Sequence, residues 1–162
     1  MKKVCSFIIF LIFVICLTGC EKSPFVTAVT KGLSFTAQID CEDRLIICDV
    51  VIDKKGKGTY TALSPENFNY SFIFDGEKTT VKYKELTHNI DSAPYNNVFY
   101  ILNSVFEYIR ENECEPSQKD KLYTFSGKTK YGCFKLITSQ SGLPLNAEIG
   151  NIKVQFKDVS II

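Results

Sequence analysis

The chain has 162 residues, of which 45% are hydrophobic and 13% aromatic, with Phe and Tyr supplying every aromatic ring because Trp is absent. Its 19 basic and 18 acidic side chains leave a formal net charge of +1, which gives no electrostatic reason to bind nucleic acid. One histidine, His88, is the only imidazole available to a catalytic or zinc site.

Lys2 and Lys3 precede an almost unbroken apolar run over residues 4–17 that ends in small residues. This is the layout of a secretory signal. At about 14 residues the run falls short of the roughly 20 that a membrane-spanning helix needs. The ending Leu17-Thr18-Gly19-Cys20 resembles the bacterial lipobox, in which the cysteine thiol receives a diacylglycerol and the signal is cut just before it. The resemblance implies a lipoprotein signal peptide over residues 1–19 and Cys20 as the lipid-bearing first residue of a chain anchored on the extracytoplasmic face of the cell membrane. An uncleaved N-terminal anchor and an ordinary signal cut elsewhere are the alternatives. Two or more acyl chains, at about 0.8 kcal/mol per buried methylene, make such an anchor stable. Without Lys2 and Lys3 the chain carries 17 basic against 18 acidic side chains, a net charge of −1.

Residues 21–31 show no clear period, so 20–33 is expected to be the lipidated cysteine and its tether. Residues 34–162 then form a single domain large enough for a genuine core. Cys41, Cys48, Cys114 and Cys133 remain in it. An even count in an exported chain permits disulfides, and small apolar side chains on strands are the other reading. The spacings and the lone His88 argue against zinc, and no metal or cofactor is expected.

Phe35, Ala37, Ile39 and Cys41 alternate with polar residues and predict a half-buried strand. After a turn at Glu42-Asp43, Ile46, Cys48, Val50 and Ile52 form the next apolar face, and pairing across that turn sets Ile39 near Ile46 and Ala37 near Cys48. Lys54-Lys55-Gly56-Lys57-Gly58 reads as a solvated hairpin turn, with contact to anionic lipid headgroups as the lesser reading. Tyr60 and Ala62 continue a third strand, and Phe68, Tyr70, Phe72 and Phe74 a fourth. Asp75-Gly76 signals a hairpin from which Thr79, Val81 and Tyr83 return. The aromatic face of this hairpin reads as core or as a cavity lining.

Asp91 or Ser92 can cap a helix starting near Pro94, whose apolar stripe holds Val98, Ile101, Leu102, Val105, Phe106 and Ile109. Residues 111–121 read as an exposed loop. Strands follow over 122–126 and 131–138, separated by a turn at Gly127, and a last hairpin over 143–159 turns at Gly150-Asn151. The pattern is five strands, one helix and four strands, an α+β chain that is mostly antiparallel β.

Several short motifs, Gly58-Thr59-Tyr60, Ser64-Pro65-Glu66-Asn67-Phe68, Phe72-Ile73-Phe74-Asp75-Gly76, Val81-Lys82-Tyr83, Ser141-Gly142-Leu143-Pro144 and Val154-Gln155-Phe156, resemble in that order a family of small uncharacterised lipoproteins of low-GC Gram-positive bacteria. More remotely, the order of elements and the Gly-Leu-Pro turn look like the carrier fold of the outer-membrane lipoprotein localisation proteins. That resemblance implies a curved sheet or incomplete barrel with one main helix packed on its concave face. It does not extend to carrier activity, because no arginine matches the carriers' functional one.

A single curved sheet closed by one amphipathic helix either packs fully or leaves an apolar cleft. The first expectation is therefore a membrane-anchored module that binds a lipid or other apolar ligand in a half-barrel cleft lined by Phe72, Phe74, Val81, Phe99 and Leu102. The second is a structural or protein-interaction lipoprotein of the cell envelope with no small ligand. An enzyme is not expected, since the chain lacks a Gly-x-Ser-x-Gly elbow, a phosphate-cradling glycine loop and a His-Glu-x-x-His helix. His88, between Thr87 and Asn89, reads as a surface residue of a polar loop. The carboxylates of Glu42 and Asp43, and of Glu111, Glu113 and Glu115, read as solvating turns.

Overall fold

Alternation with period two fixes most of this architecture, because each strand must turn the same set of side chains inward. The computed structural model describes residues 24–41, 44–64, 70–90, 98–112 and 114–162. Among them are two helices, α1 (Pro24–Lys31) and α2 (Val98–Glu111). Six strands precede α2: β1 (Gly32–Cys41), β2 (Arg44–Asp53), β3 (Gly58–Ser64), β4 (Tyr70–Phe74), β5 (Thr79–Tyr83) and β6 (Leu86–Ile90). Five follow it: β7 (Ser117–Lys119), β8 (Leu122–Thr129), β9 (Gly132–Thr138), β10 (Pro144–Ile149) and β11 (Ile152–Ile161).

All eleven strands form one antiparallel, curved and unclosed sheet in the order β6-β5-β4-β3-β2-β1-β11-β10-β9-β8-β7. Two meanders are thus joined at their first and last strands, where β1 pairs with β11. The β1–β2 register is the expected one, with Ile39 opposite Ile46 and Ala37 opposite Cys48. Strands β6 and β7 are opposite edges of the sheet, so the chain must cross from one edge to the other, and ring contacts of Phe106 with Phe35 and Phe156 put the helical part of the crossing on the inner face. Helix α2 lies on that crossing and buries Val98, Ile101, Leu102, Val105, Phe106 and Ile109, the predicted stripe. The proposed caps Asp91, Ser92 and Pro94 lie outside the described residues, as do Glu42, Asp43 and Phe68.

Aromatic rings fill the space under the helix. Phe106 meets Phe25 at 5.7 Å, Phe35 at 6.1 Å and Phe156 at 6.3 Å between centroids. Phe25 also packs on Phe125 at 5.3 Å, and Phe35 on Phe156 at 5.1 Å. Edge and tilted contacts of this kind add about 0.5–1.5 kcal/mol each to the burial of the rings.

Helix α1 is a departure from the expected tether. Phe25, Val26, Ala28 and Val29 are buried against the core, so residues 24–33 belong to the packed body and not to a linker. Pro24 at the first helical position suits a helix start. A helix of eight residues is too short to show a period in the sequence, and tertiary packing holds it. Gly142, at φ +80°, lets the β9–β10 turn sit directly against the start of α1, where a Cβ would run into the backbone of Pro24 and Phe25.

Three further expectations change. His88 sits in strand β6, opposite Val81, and not in a loop; this edge strand is exposed on nearly every residue, so no apolar alternation marks it. Part of the predicted 111–121 loop pairs with β8 as the short edge strand β7. Gly127 lies within β8 rather than at a turn, and a Cβ there would approach Tyr108 Cε1 at 2.6 Å and Phe134 Cε1 at 2.7 Å. This glycine makes room for rings, and the chain reverses instead at Lys130 and Tyr131.

Replacing Phe25 with Ala measures whether α1 is core. Truncation of a buried Phe costs about 3–5 kcal/mol, and denaturant unfolding of Phe25→Ala is expected to show a loss of that size. A tether residue would leave the unfolding midpoint unchanged.

Candidate binding surfaces

Strand register places the five predicted cleft residues in two groups. Phe72 and Phe74 of β4 and Val81 of β5 share the inner face, because Phe72 pairs with both Tyr60 and Val81, and Tyr60 is buried inward. All three are half-buried. Phe99 and Leu102 of α2 are 1% and 0% exposed and belong to the filled core under the helix, so they do not line an open cleft. The two groups touch where Phe74 packs on Phe99 at 6.1 Å and on Tyr100 at 5.6 Å.

Beyond that contact neither helix covers the inner face of β4–β6. Phe72 rests on Tyr60 at 5.8 Å and Tyr70 at 5.2 Å, but Tyr83 is 40% and Leu86 72% exposed on the same face. His88 lies among them. An apolar strip therefore runs outward from the end of α2 along the inner side of one wing of the sheet.

Beneath the strip is a buried polar cluster. The Tyr60 hydroxyl is hydrogen-bonded to the Cys48 thiol and to the Tyr70 hydroxyl, and Cys48 Sγ donates to the Ala37 carbonyl at 3.6 Å. Burial pushes the Cys48 thiol up to about 12 and holds the Tyr60 and Tyr70 hydroxyls above their ordinary range. These groups satisfy one another and stay uncharged at physiological pH. All four described cysteines are free thiols. Cys48 is a small core side chain as expected, whereas Cys133 points outward from β9 and is exposed.

The polar face of α2 carries a second arrangement that the sequence pattern did not bring forward. Asn103 Nδ2 donates to Glu107 Oε1 at 3.1 Å, and Arg110 Nη1 donates to the Lys54 carbonyl at 2.9 Å. The lysine turn thereby docks on the helix through its backbone. Gly56, at φ +79°, approaches this group so closely that a Cβ would lie 3.2 Å from Glu107 Oε1. The turn is shaped by Asp53, whose Oδ1 accepts from the amides of Lys55 at 2.7 Å and Lys57 at 2.9 Å. Burial raises the Glu107 carboxyl above its ordinary value, opposed chiefly by the Arg110 charge.

A cleft of about 180 Å³ opens beside this cluster, bounded by Phe74, Gly76, Tyr100, Asn103, Lys130 and Tyr131 among others. It lies where the β4–β5 and β8–β9 turns, from opposite wings of the sheet, meet across α2. The i, i+4 spacing of Asn103 and Glu107 was the only sign of it in the sequence. Among the described residues, no group of three or more His, Cys, Asp or Glu side chains is placed to hold a metal ion. No described helix is long and apolar enough to cross a membrane.

Among solved structures, the chain is similar to a LolA superfamily protein from Nitrosomonas europaea, with a TM-score of 0.46 and 10% identity over 88% of this chain and 91% of that one. No family model matches the sequence. No curated protein matches it either.

Two measurements follow from the shifted groups. The raised Glu107 pKa means that the folded state favours the protonated form. Its contribution to stability is complete below the unfolded value of about 4.3 and is lost as pH rises through the folded value. Glu107→Gln keeps the acceptor for Asn103 and is expected to gain stability relative to the parent between about pH 4 and pH 7; a difference in urea midpoint that is constant with pH contradicts this. Thiol labelling at about pH 8 is expected to modify Cys133 in the folded protein, where it is exposed, and to reach Cys48 only on unfolding, because Cys48 is buried and its thiol is held protonated.

Proposed function

We propose that the protein is a membrane-anchored lipoprotein, held through lipid on Cys20 at the extracytoplasmic face, that binds an apolar chain along the open inner face of β4–β6. The observation that carries this reading is the strip of Tyr70, Phe72, Val81, Tyr83 and Leu86, an apolar inner surface that neither helix covers. An exposed apolar patch on a concave wall is where an apolar ligand gains most, at about 25 cal/mol per Å² removed from water. The anchor rests on the Leu17-Thr18-Gly19-Cys20 ending, and it would keep the strip next to a source of acyl chains. The role proposed is binding without chemistry.

A second reading is favoured by the outer face of the same sheet. Leu45 and Leu63 are 51% and 46% exposed on the convex side of β2 and β3, a surface suited to a protein of the cell envelope. Crosslinking on intact cells separates the readings, since a specific protein partner lost in Leu45→Asp and Leu63→Asp favours the second.

Fluorescence titration of the full-length protein with a fluorescent fatty acid tests the first. Saturable binding is expected, weakened roughly five- to thirtyfold in Val81→Ser and Leu86→Ser, each of which removes apolar contact worth on the order of 1–2 kcal/mol. Unchanged affinity in both variants removes the strip as the site. Cys20→Ser is expected to move the protein from the membrane fraction to the soluble fraction, and intact mass of the parent is expected to show the added diacylglycerol.

A further inference from the structure

The cleft across α2 differs in kind from the apolar strip. Two of its lining side chains carry buried polar atoms without partners, Asn103 Oδ1 and the Tyr100 hydroxyl. Asn103 is 3% and Tyr100 8% exposed, so neither atom can turn to bulk solvent. A buried polar group left unpaired costs about 1–3 kcal/mol, which makes the pair a demand for hydrogen-bonding atoms supplied from within the cleft.

The ionisable groups around them narrow the choice. Glu77, Glu107 and Lys130 line the cleft, and the charges of Arg110 and Glu111 also act on Glu107. Charges of both signs stand side by side here, so the cleft presents no field of a single sign to an ion. Lys130 Nζ already lies 5.1 Å above the Tyr131 ring. An ammonium can only donate and a carboxylate can only accept, whereas a hydroxyl does both. Asn103 Oδ1 requires a donor, and the Tyr100 hydroxyl has a proton to give. Phe74 and Tyr131 contribute aromatic surface to the wall. Sites for drug-sized ligands run from about 300 Å³ upward, and 180 Å³ admits one small ring.

We propose that this cleft binds a single polyhydroxylated ring, a pyranose or a cyclitol, with one hydroxyl donating to Asn103 Oδ1, another accepting from the Tyr100 hydroxyl, and the C–H faces of the ring against Phe74 and Tyr131. Such rings occur free, within glycan chains and as lipid headgroups, and the cleft reads only their shared chemistry.

The test uses isotopically labelled full-length protein in zwitterionic detergent, titrated with methyl β-glucoside and with myo-inositol while the Asn103 side-chain amide and the Tyr100 and Tyr131 ring signals are followed. Saturable shifts with either polyol, absent with ethanolamine and with acetate, are expected. Tyr100→Phe, which keeps the ring packing, is expected to weaken binding at least tenfold, and Asn103→Leu to do the same. Shifts that do not saturate, that the two ions reproduce equally, or that survive both substitutions overturn the proposal. Co-sedimentation with insoluble glycan or flotation with inositol-headed lipid vesicles, either one lost in Tyr100→Phe, supports it and identifies the source of the ring. Because these residues are not those of the apolar strip, fatty-acid binding can fail while polyol binding stands, and the reverse.

Discussion

Phe106 is the contact on which the rest of the structure depends. One ring on α2 touches Phe25 of α1, Phe35 of β1 and Phe156 of β11, so a single side chain ties both helices to the strand pair that joins the two meanders. An unclosed sheet has no second sheet to cover its concave face. Among the described residues, apolar surface that the helices do not reach has no second layer over it.

Dimensions show how far they reach. At 1.5 Å per residue, α2 is about 21 Å long and α1 about 12 Å, whereas eleven strands about 4.8 Å apart measure on the order of 48 Å across. Curvature shortens the gap without closing it. The helices cover the central strands and the β8–β9 side, and the inner wall of β4–β6 is left over. The strip of Tyr83 and Leu86 is thus a geometric remainder of building a wide sheet around one helix of fourteen residues.

Local pattern carried some of this and not the rest. The register of β1 on β2 was legible because each strand has one buried face, so a one-residue slip would have turned Ile39 and Cys48 to water. The face of α2 was legible from its i, i+3, i+4 spacing. Strand β6 was not, since an edge strand exposed on nearly every residue has no reason to alternate, and α1 was too short to show a period. Among the cleft residues, the partnership of Phe72 with Val81 followed from hairpin pairing. The enclosure of Phe99 and Leu102 did not, because it depends on how deeply α2 sinks into the sheet. The polar cleft was least legible of all: Gly76 and Lys130 lie on opposite wings, and only the curl of the whole sheet brings their turns together.

The contact between Gly142 and the start of α1 sets a working distance. With Cys20 as the anchor, only residues 21–23 separate the lipid from a helix fixed to the body at Pro24. Four chain steps span at most about 14 Å, little more than the diameter of a helix with its side chains. A body proposed to hang on so short a lead would not patrol the space above the membrane. Under the proposed anchoring it would turn the β9–β10 end towards the headgroups and leave the far ends of the strands pointing away, so that anything it binds would be collected at the bilayer surface or delivered there.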